Sequence, residues 1–418
     1  MDLELTAEQQ AFREEVRTWL QANVPAEPLA SQTTPEGFAA HRDWERRLFE
    51  AGYAAISWPA KYGGRDADLL TTAILQEEYA RFGAPTRINV LGLGLAGPTL
   101  MVYGTEEQKE RWLARILSCD DIWSQGFSEP DAGSDLAGIR TSAVPEGDEY
   151  IVNGQKIWTT LGRFADWIFA LVRTDRDAPK HKGITFLMID MKSPGIEVRP
   201  IVQINGDAGF SEVFFTDVRV PIANVVGEVN DGWRVAMSTL GFERGTGLGS
   251  HVRFSRDLDG LVALVKGMGL QDDPIVRDQV AKLHVDVSVF RHNTYRTLTR
   301  LAHGKPIGPE ASLNKLYWSQ MEARIFETGM QVMGPYAELT SKADQAAERL
   351  GRAAAAAAWD HWHKQYWYSR AALIYAGTSE VQRNIIAERV LGLPKEPAAG
   401  GTGQGRSAMA GGSDGQGA

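Results

Sequence analysis

Phe127-Ser128-Glu129-Pro130-Asp131-Ala132-Gly133-Ser134-Asp135 is the stretch on which the reading of this chain turns. An apolar run with strand character, residues 122–127, leads into it. Pro130 then withdraws a backbone donor, and Gly133, set between small and acidic residues, lets the chain turn tightly. Hydroxyls and backbone N–H groups are thereby presented from a rigid loop at a strand end, which suits polar, planar or phosphorylated ligands. Taken alone the stretch supports two readings, a ligand loop and a plain helix cap, because Ser and Asp commonly cap helices.

Upstream of this loop the patterning is helical. Thr6 with Gln9 forms a capping-box signature that opens a helix through Leu20, with Phe12, Val16 and Leu20 on its buried stripe. A second helical pattern covers residues 37–51, and the Pro- and Gly-containing segment 57–64 ends it. Helical patterns return over residues 69–82 and, after another Thr-x-x-Gln start at Thr105 and Gln108, run to Leu117.

Downstream the signals change to strands. Asn153-Gly154 predicts a tight hairpin turn, and residues 167–172 form a short continuous apolar strand. Residues 184–189 and 213–215 continue the pattern, with Pro194-Gly195 between them. Many short strands without intervening helices indicate a small barrel or sandwich. Helix resumes near Asp231 and dominates to Leu391, in segments long enough for a bundle. Six alanines at residues 353–358 favour helix, whereas Gly, Ser, Ala and Gln dominate the tail and predict disorder there. The expected class is α+β multidomain. A helical N-terminal domain (1–120) precedes a central β-barrel or sandwich (121–230), a C-terminal four-helix bundle (231–394) and a disordered tail (395–418).

The 418 residues, 43% of them hydrophobic, suffice for a large core and two or three domains. A formal net charge of -9 and a pI near 5.5 argue against nucleic acid as a main partner. The single cysteine, Cys119, excludes an internal disulfide and fits a reducing compartment; with Ser118, Asp120 and Asp121 around it, it reads as an inert thiol. No charge-free apolar run approaches membrane-spanning length, and the acidic start Met1-Asp2-Leu3-Glu4 is unlike a signal or transit peptide. A soluble, cytoplasmic protein is expected.

The loop at 127–135 resembles the Thr-Glu-Pro-x-Ala-Gly-Ser-Asp signature of acyl-CoA dehydrogenases, with Ser128 in place of the usual Thr. Further resemblances follow in the family's order. They are Asn153-Gly154-Gln155-Lys156-Ile157-Trp158-Thr159-Thr160, Asp217-Val218-Arg219-Val220-Pro221 and Gly377-Thr378-Ser379. The resemblance implies an FAD enzyme acting on acyl-CoA thioesters, in which a proton leaves Cα and a hydride passes from Cβ to flavin N5. The two depart from opposite faces, so the base must come from an element other than those cradling the flavin.

On the flavin side the resemblance implies Gln125, Phe127, Ser128, Gly133 and Ser134, together with Trp158, Thr159 and Thr160. Ser128 and Thr160 would supply hydroxyls and Trp158 a flat apolar face; without the resemblance, Trp158 reads as a core aromatic. Ser134 matches the serine that meets the pantetheine arm of CoA. Gln331 and Gly334 resemble the Gln-x-x-Gly-Gly segment that reaches the FAD of a neighbouring subunit, with Pro335 replacing the second Gly. Thr378-Ser379-Glu380 resembles Thr-Ser-Gln, and Glu380 adds a negative charge near a pyrophosphate that another contact must offset. The family's Arg-x-x-Phe-Gly segment is missing around residues 267–274, where Arg277 is the candidate replacement.

Many family members place a glutamate immediately before the C-terminal Gly-Thr pair, where this chain has Ala376. Isovaleryl- and long-chain-type members carry it instead on the first bundle helix, followed by arginine, and here that position reads Phe242-Glu243-Arg244. Glu243 is therefore the expected base, desolvated by Leu240, Gly241 and Phe242, with Arg244 offsetting charge nearby. The spacing alone reads as a surface glutamate beside an arginine. The analogy further places the thioester oxygen against the backbone N–H of Ala376, beside Gly377. Gly241, Gly245, Gly247 and Gly249 crowd this helix, which fits either a roomy acyl pocket for branched or cyclic chains or close helix packing.

No metal site is expected: His361 and His363 lie two apart and point to different helix faces, and His284 and His292 lack a ligand between them. No Gly-x-Gly-x-x-Gly follows a strand, so a Rossmann site is not expected. The resemblance implies a homo-oligomer, dimer or tetramer, with a hetero-oligomer as the other arrangement, and reoxidation by an electron-transfer flavoprotein. Two alternatives stand beside the dehydrogenase: a non-catalytic partner subunit, and a flavin monooxygenase on the same fold.

Overall fold

The computed structural model describes residues 5–243, 249–305, 308–309, 311–338 and 359–395. Five helices come first: α1 (Ala7–Asn23), α2 (Pro35–Glu50), α3 (Leu69–Arg81), α4 (Gly97–Tyr103) and α5 (Glu106–Leu117). Both Thr-x-x-Gln signatures are capping boxes. Thr6 accepts from the Gln9 N–H and Thr105 from the Gln108 N–H, while each glutamine side chain reaches back to the cap. A π-helical turn, Gly92–Ala96, leads directly into α4.

Seven strands follow as one curled sheet: β1 (Trp123–Gly126), β2 (Ser142–Glu146), β3 (Glu149–Thr160), β4 (Trp167–Arg173), β5 (Ile184–Asp190), β6 (Ile196–Ile201) and β7 (Phe210–Pro221). Their order is β1-β4-β2-β3-β7-β6, with β5 also paired to β4. β4 and β5 are buried almost throughout, which explains their unbroken apolar runs. The hairpin expected at Asn153-Gly154 is absent. Those residues lie inside β3, and the chain turns instead between Glu146 and Glu149, at Gly147-Asp148. Long pairing of β3 with β7 overrides the local turn preference. Gly154 serves close approach: a Cβ there would lie 2.5 Å from Thr141 Oγ1.

An indole cluster fastens α5 to the sheet. Trp112 meets Trp123 and Trp167 edge-on at 5.8 and 5.3 Å, and the latter two stack at 5.7 Å. Each such buried side chain contributes roughly 1.5–3 kcal/mol.

The C-terminal region is helical: α6 (Gly232–Glu243), α7 (Ser250–Gly267), α8 (Pro274–Ala302), α9 (Ala311–Met333), α10 (Trp359–Ala371) and α11 (Ser379–Ile385), followed by a π turn at Ile386–Val390. Helices α7 to α10 share one core around Phe254, Leu261, Phe290, Phe326 and Trp362. Gly329 of α9 makes room for the Trp362 indole, since a Cβ there would lie 2.3 Å from the ring. α6 is set apart. Its Val235 and Ala236 enter the core shared by the N-terminal helices and the sheet. Its Thr239 hydroxyl lies 2.8 Å from that of Thr99 on α4. The alanine run at 353–358, Gly245, Gly247 and the tail from 396 onward lie outside the described residues.

Candidate active site

The loop after β1 is built from below. Phe127 is buried edge-to-face against Phe169 and Phe186 at 5.8 and 6.0 Å, which fixes the exit of the strand. Glu129 pairs with Ala132 through two backbone hydrogen bonds of 3.0 Å, forming a tight reverse turn around Pro130. Its carboxylate is turned inward. It accepts from the N–H groups of Arg140 and Thr141 and from the Lys156 ammonium. Gly133 and Ser134 stand exposed at the loop's crest, and a Cβ on Gly133 would meet nothing within 4 Å.

β3 runs alongside. Ile157 N–H donates to Ser128 O at 3.0 Å, and Ser124 Oγ donates to Thr160 O at 2.7 Å, so loop and strand are tied at both ends. Lys156 is fully buried, and strict alternation would send Trp158 inward as well. The pairing with β7 slips between Lys156 and Thr159, Trp158 takes φ of 61°, and its ring emerges 55% exposed. Thr159 is fully buried and faces Ser211 across the ladder. Half-buried Ser128 and Thr160 have hydroxyls that no other described residue engages. Half-buried Gln125 bridges to Phe169 in the β1–β4 ladder.

A second arm comes from the loop after α10. Ala376 and Gly377 have φ of 52° and 86°, both left-handed. Gln382 Nε2 donates to Ala376 O at 2.9 Å, Ser379 N–H to Leu373 O at 3.0 Å, and Lys315 Nζ to Ala372 O at 2.9 Å. This clamp leaves the Ala376 N–H without an acceptor among the described residues. Tyr375 packs between Trp318 and Tyr368, each ring 6.3 Å away. Thr378 caps α11, and the backbone there holds the exposed Glu380 carboxyl below the usual range. Arg383 sits 3.3 Å from Glu380 and offsets its charge.

α6 supplies the third arm. Leu240 and Phe242 pack against the shared core, and Glu243 is the last residue of the helix. The Glu243 side chain and Arg244 lie outside the described residues.

Gln331 belongs elsewhere, on a groove of about 490 Å³ between α8 and α9, and Gly334 follows the end of α9 outside its lining. Gln279, Lys282, Asp286, Arg324 and Glu327 line it with Gln331, and Gln279 donates to Gln331 at 3.0 Å. Arg277 is not among the lining residues; it points to Gln271 O at 3.4 Å. Gln279, on the same helix, is the neighbour of Gln331 that sequence reading passed over, because an isolated helical glutamine carries no signal. Lys156 was passed over for a related reason: its partner Glu129 is 27 residues away, and nothing local distinguishes it from a surface lysine.

Domain models of the acyl-CoA dehydrogenase N-terminal, middle and C-terminal domains match residues 6–120, 124–218 and 230–391. The chain belongs to the acyl-CoA dehydrogenase family. It is 39% identical over 392 residues to acyl-CoA dehydrogenase IpdE1 of Mycobacterium tuberculosis, covering 92% of this chain and 98% of that one. Identity to FadE26 of the same organism is 32% over 413 residues, covering 94% and 99%. Among solved structures, the Tcur3481-Tcur3483 steroid ACAD superposes with a TM-score of 0.81 at 28% identity, over 95% of this chain and all of that one. The ChsE4-ChsE5 complex from Mycobacterium tuberculosis gives 0.78 at 30% identity, again over 95% and 100%. The chain is an acyl-CoA dehydrogenase with the family's helix–sheet–helix architecture. No helix of the described residues is long and apolar enough to cross a membrane.

The family implies a flavin, and the residues of this loop and strand fit one. The loop and the strand tied to it present an exposed indole at Trp158, hydroxyls at Ser128 and Thr160 that no other described residue engages, and open space beside Gly133. That set suits a flat heteroaromatic ring with polar edges.

Proposed function

We propose that the chain catalyses α,β-dehydrogenation of an acyl-CoA thioester, with FAD as cofactor and Glu243 as general base. When bound, FAD supplies the hydride acceptor, N5, for the hydrogen leaving Cβ. Ser128 and Thr160 would donate to polar atoms of the ring system, and Trp158 would cover its edge. The observation that carries the reading is the Ala376 N–H, without an acceptor among the described residues, in a loop lacking a carboxylate. This backbone donor is clamped in place by Gln382 and polarises a thioester oxygen without itself taking a proton. The Cα proton then needs a base from another arm, and Glu243 at the end of α6 is the acid residue the chain offers there.

Ser134 at the loop crest is proposed to meet the pantetheine arm, and Phe242, Arg244 and Gly377 to border the acyl group. The glycines around Glu243, and relatives named for steroid ACAD activity, support a bulky, ring-bearing acyl chain over a straight one. Assembly as an oligomer is proposed. A complex with a second, related chain is supported by the ChsE4-ChsE5 neighbour, and Gln331 on the α8–α9 groove, with Gly334 just beyond the end of α9, would then face the cofactor of an adjoining subunit. An electron-transfer flavoprotein is proposed as acceptor.

The test is anaerobic mixing of the purified yellow protein, alone and with co-expressed partner, with a panel of acyl-CoAs. Bleaching of the oxidised flavin band, fastest with ring-bearing chains, is expected. A flavin band that no acyl-CoA bleaches overturns the proposal.

A further inference from the structure

Beneath the loop at 127–135 lies a charge pair that the reaction itself does not require. Lys156 is 0% exposed, and its ammonium donates to Glu129 Oε1 at 2.8 Å and to Phe127 O at 3.2 Å. Glu129, 8% exposed, accepts further from Arg140 N–H at 2.6 Å and Thr141 N–H at 2.9 Å. A fully buried lysine is costly unless paired, and burial pushes this one down to about 8 even with Glu129 pulling it up. Burial would raise Glu129, yet the Lys156 charge and the donated hydrogen bonds outweigh it and hold the carboxyl below its ordinary range.

The position of the pair is what gives it meaning. Phe127 and Glu129 flank Ser128, and Lys156 is the last regular residue of β3 before the slip that turns Trp158 outward. Every bond of the Lys156 ammonium therefore runs from the strand bearing Trp158 and Thr160 to the loop bearing Ser128. Resting on the flavin reading above, we propose that Glu129 and Lys156 are positioning residues that lock loop and strand into one rigid unit, so that the Ser128 hydroxyl, the Trp158 face and the Thr160 hydroxyl reach the flavin with fixed mutual spacing.

A structural pair that merely holds the sheet together would behave differently. If the pair acts by aiming, its loss uncouples two segments while the sheet stays folded, and the hydroxyls it aims lose their individual worth. The test uses the full chain, with partner if required for solubility, as Lys156→Met and as Glu129→Gln/Lys156→Met. The double variant removes the buried charge altogether, keeps a side-chain oxygen for one of the Arg140 and Thr141 N–H groups, and guards against an unpaired buried charge as the cause of misfolding. Lys192→Met, which breaks an exposed pair with Asp166, is the control.

Two readouts are taken. Hydrogen exchange on flavin-free protein is expected to rise in segments 127–135 and 156–160 together, at least tenfold, with β4 and β5 unchanged. Flavin titration of the apoprotein is expected to weaken at least tenfold in both Lys156 variants, and Ser128→Ala and Thr160→Val to lose most of their own effect in those backgrounds. Exchange rising in one segment only, or spreading through the whole sheet in both variants, overturns the inference. So does unchanged flavin affinity, or Ser128 and Thr160 effects that multiply independently of Lys156. Variants that show the paired exchange response in a protein whose wild type binds no flavin in any assembly overturn the flavin reading and leave the mechanical coupling standing.

Discussion

Two threonines at the seam between the N-terminal helices and α6 allow a prediction whose sign follows from where one proton goes. Thr99 and Thr239 are both fully buried, with hydroxyls 2.8 Å apart. Thr239 Oγ1 also lies 2.9 Å from Val235 O, an acceptor only, so its proton is committed there. Thr99 must then donate to Thr239. Replacing Thr99 by Val keeps shape and volume and deletes one hydrogen bond, while Thr239 retains its acceptor; the cost is about 1 kcal/mol. Replacing Thr239 by Val strands the Thr99 hydroxyl as a buried donor with no acceptor, and the cost rises to about 2–3 kcal/mol. The difference, on the order of 1 kcal/mol, is roughly a fivefold change in an opening equilibrium. Hydrogen exchange of α6 amides in T99V and T239V measures it directly. Exchange about fivefold faster in T239V than in T99V is expected. Equal rates, or faster exchange in T99V, refute the proton assignment.

Other consequences are open to single measurements. A Cβ at Gly249 would lie 2.5 Å from Gln76 Cβ and 2.8 Å from its carbonyl carbon, so G249A is expected to lose about 1–3 kcal/mol and to loosen α3 from α7, read by thermal unfolding. Trp158 combines φ of 61° with an exposed ring, so W158G is expected to leave the thermal midpoint nearly unchanged while weakening flavin binding on the order of tenfold. Burial pushes the Asp257 carboxyl up to about 6, against the attraction of Arg253 and Arg256 and beside a raised Glu322. The folded state then holds the proton more tightly than the unfolded chain, so Asp257 costs nothing at low pH and destabilises progressively from about pH 4 to about 6. D257N is therefore expected to stabilise by an increment that grows over that window and is constant above it; an increment independent of pH contradicts this.

The elements most legible in the sequence are those whose cause is local. Thr6 with Gln9 and Thr105 with Gln108 set helix starts because capping is a matter of four consecutive residues. The unbroken apolar runs of β4 and β5 were readable because those strands are buried on both faces. Asn153-Gly154 predicts a turn, but its local preference is set against a twelve-residue strand paired with β7 on both sides of a register shift between Val152 and Gly154. At the site, Ser128 and Trp158 were legible through the motif, but the outward turn of Trp158 was not, since it depends on a register slip against a strand some fifty residues later. The buried Glu129–Lys156 pair escaped for the same reason, being a contact between distant segments with no periodic trace. Cys119, judged inert from its neighbours, is indeed buried, and its thiol is pushed up to about 12 by desolvation.

The central claim concerns one carboxylate at the end of α6, and one experiment addresses it most directly. Wild type and Glu243→Gln are loaded with flavin, mixed anaerobically with a ring-bearing acyl-CoA that bleaches the wild-type protein, and followed at the oxidised flavin band. The account predicts that the variant binds flavin and acyl-CoA as wild type does but bleaches more slowly by a factor on the order of a thousand, in line with the loss of a positioned base. Bleaching at the wild-type rate would contradict it.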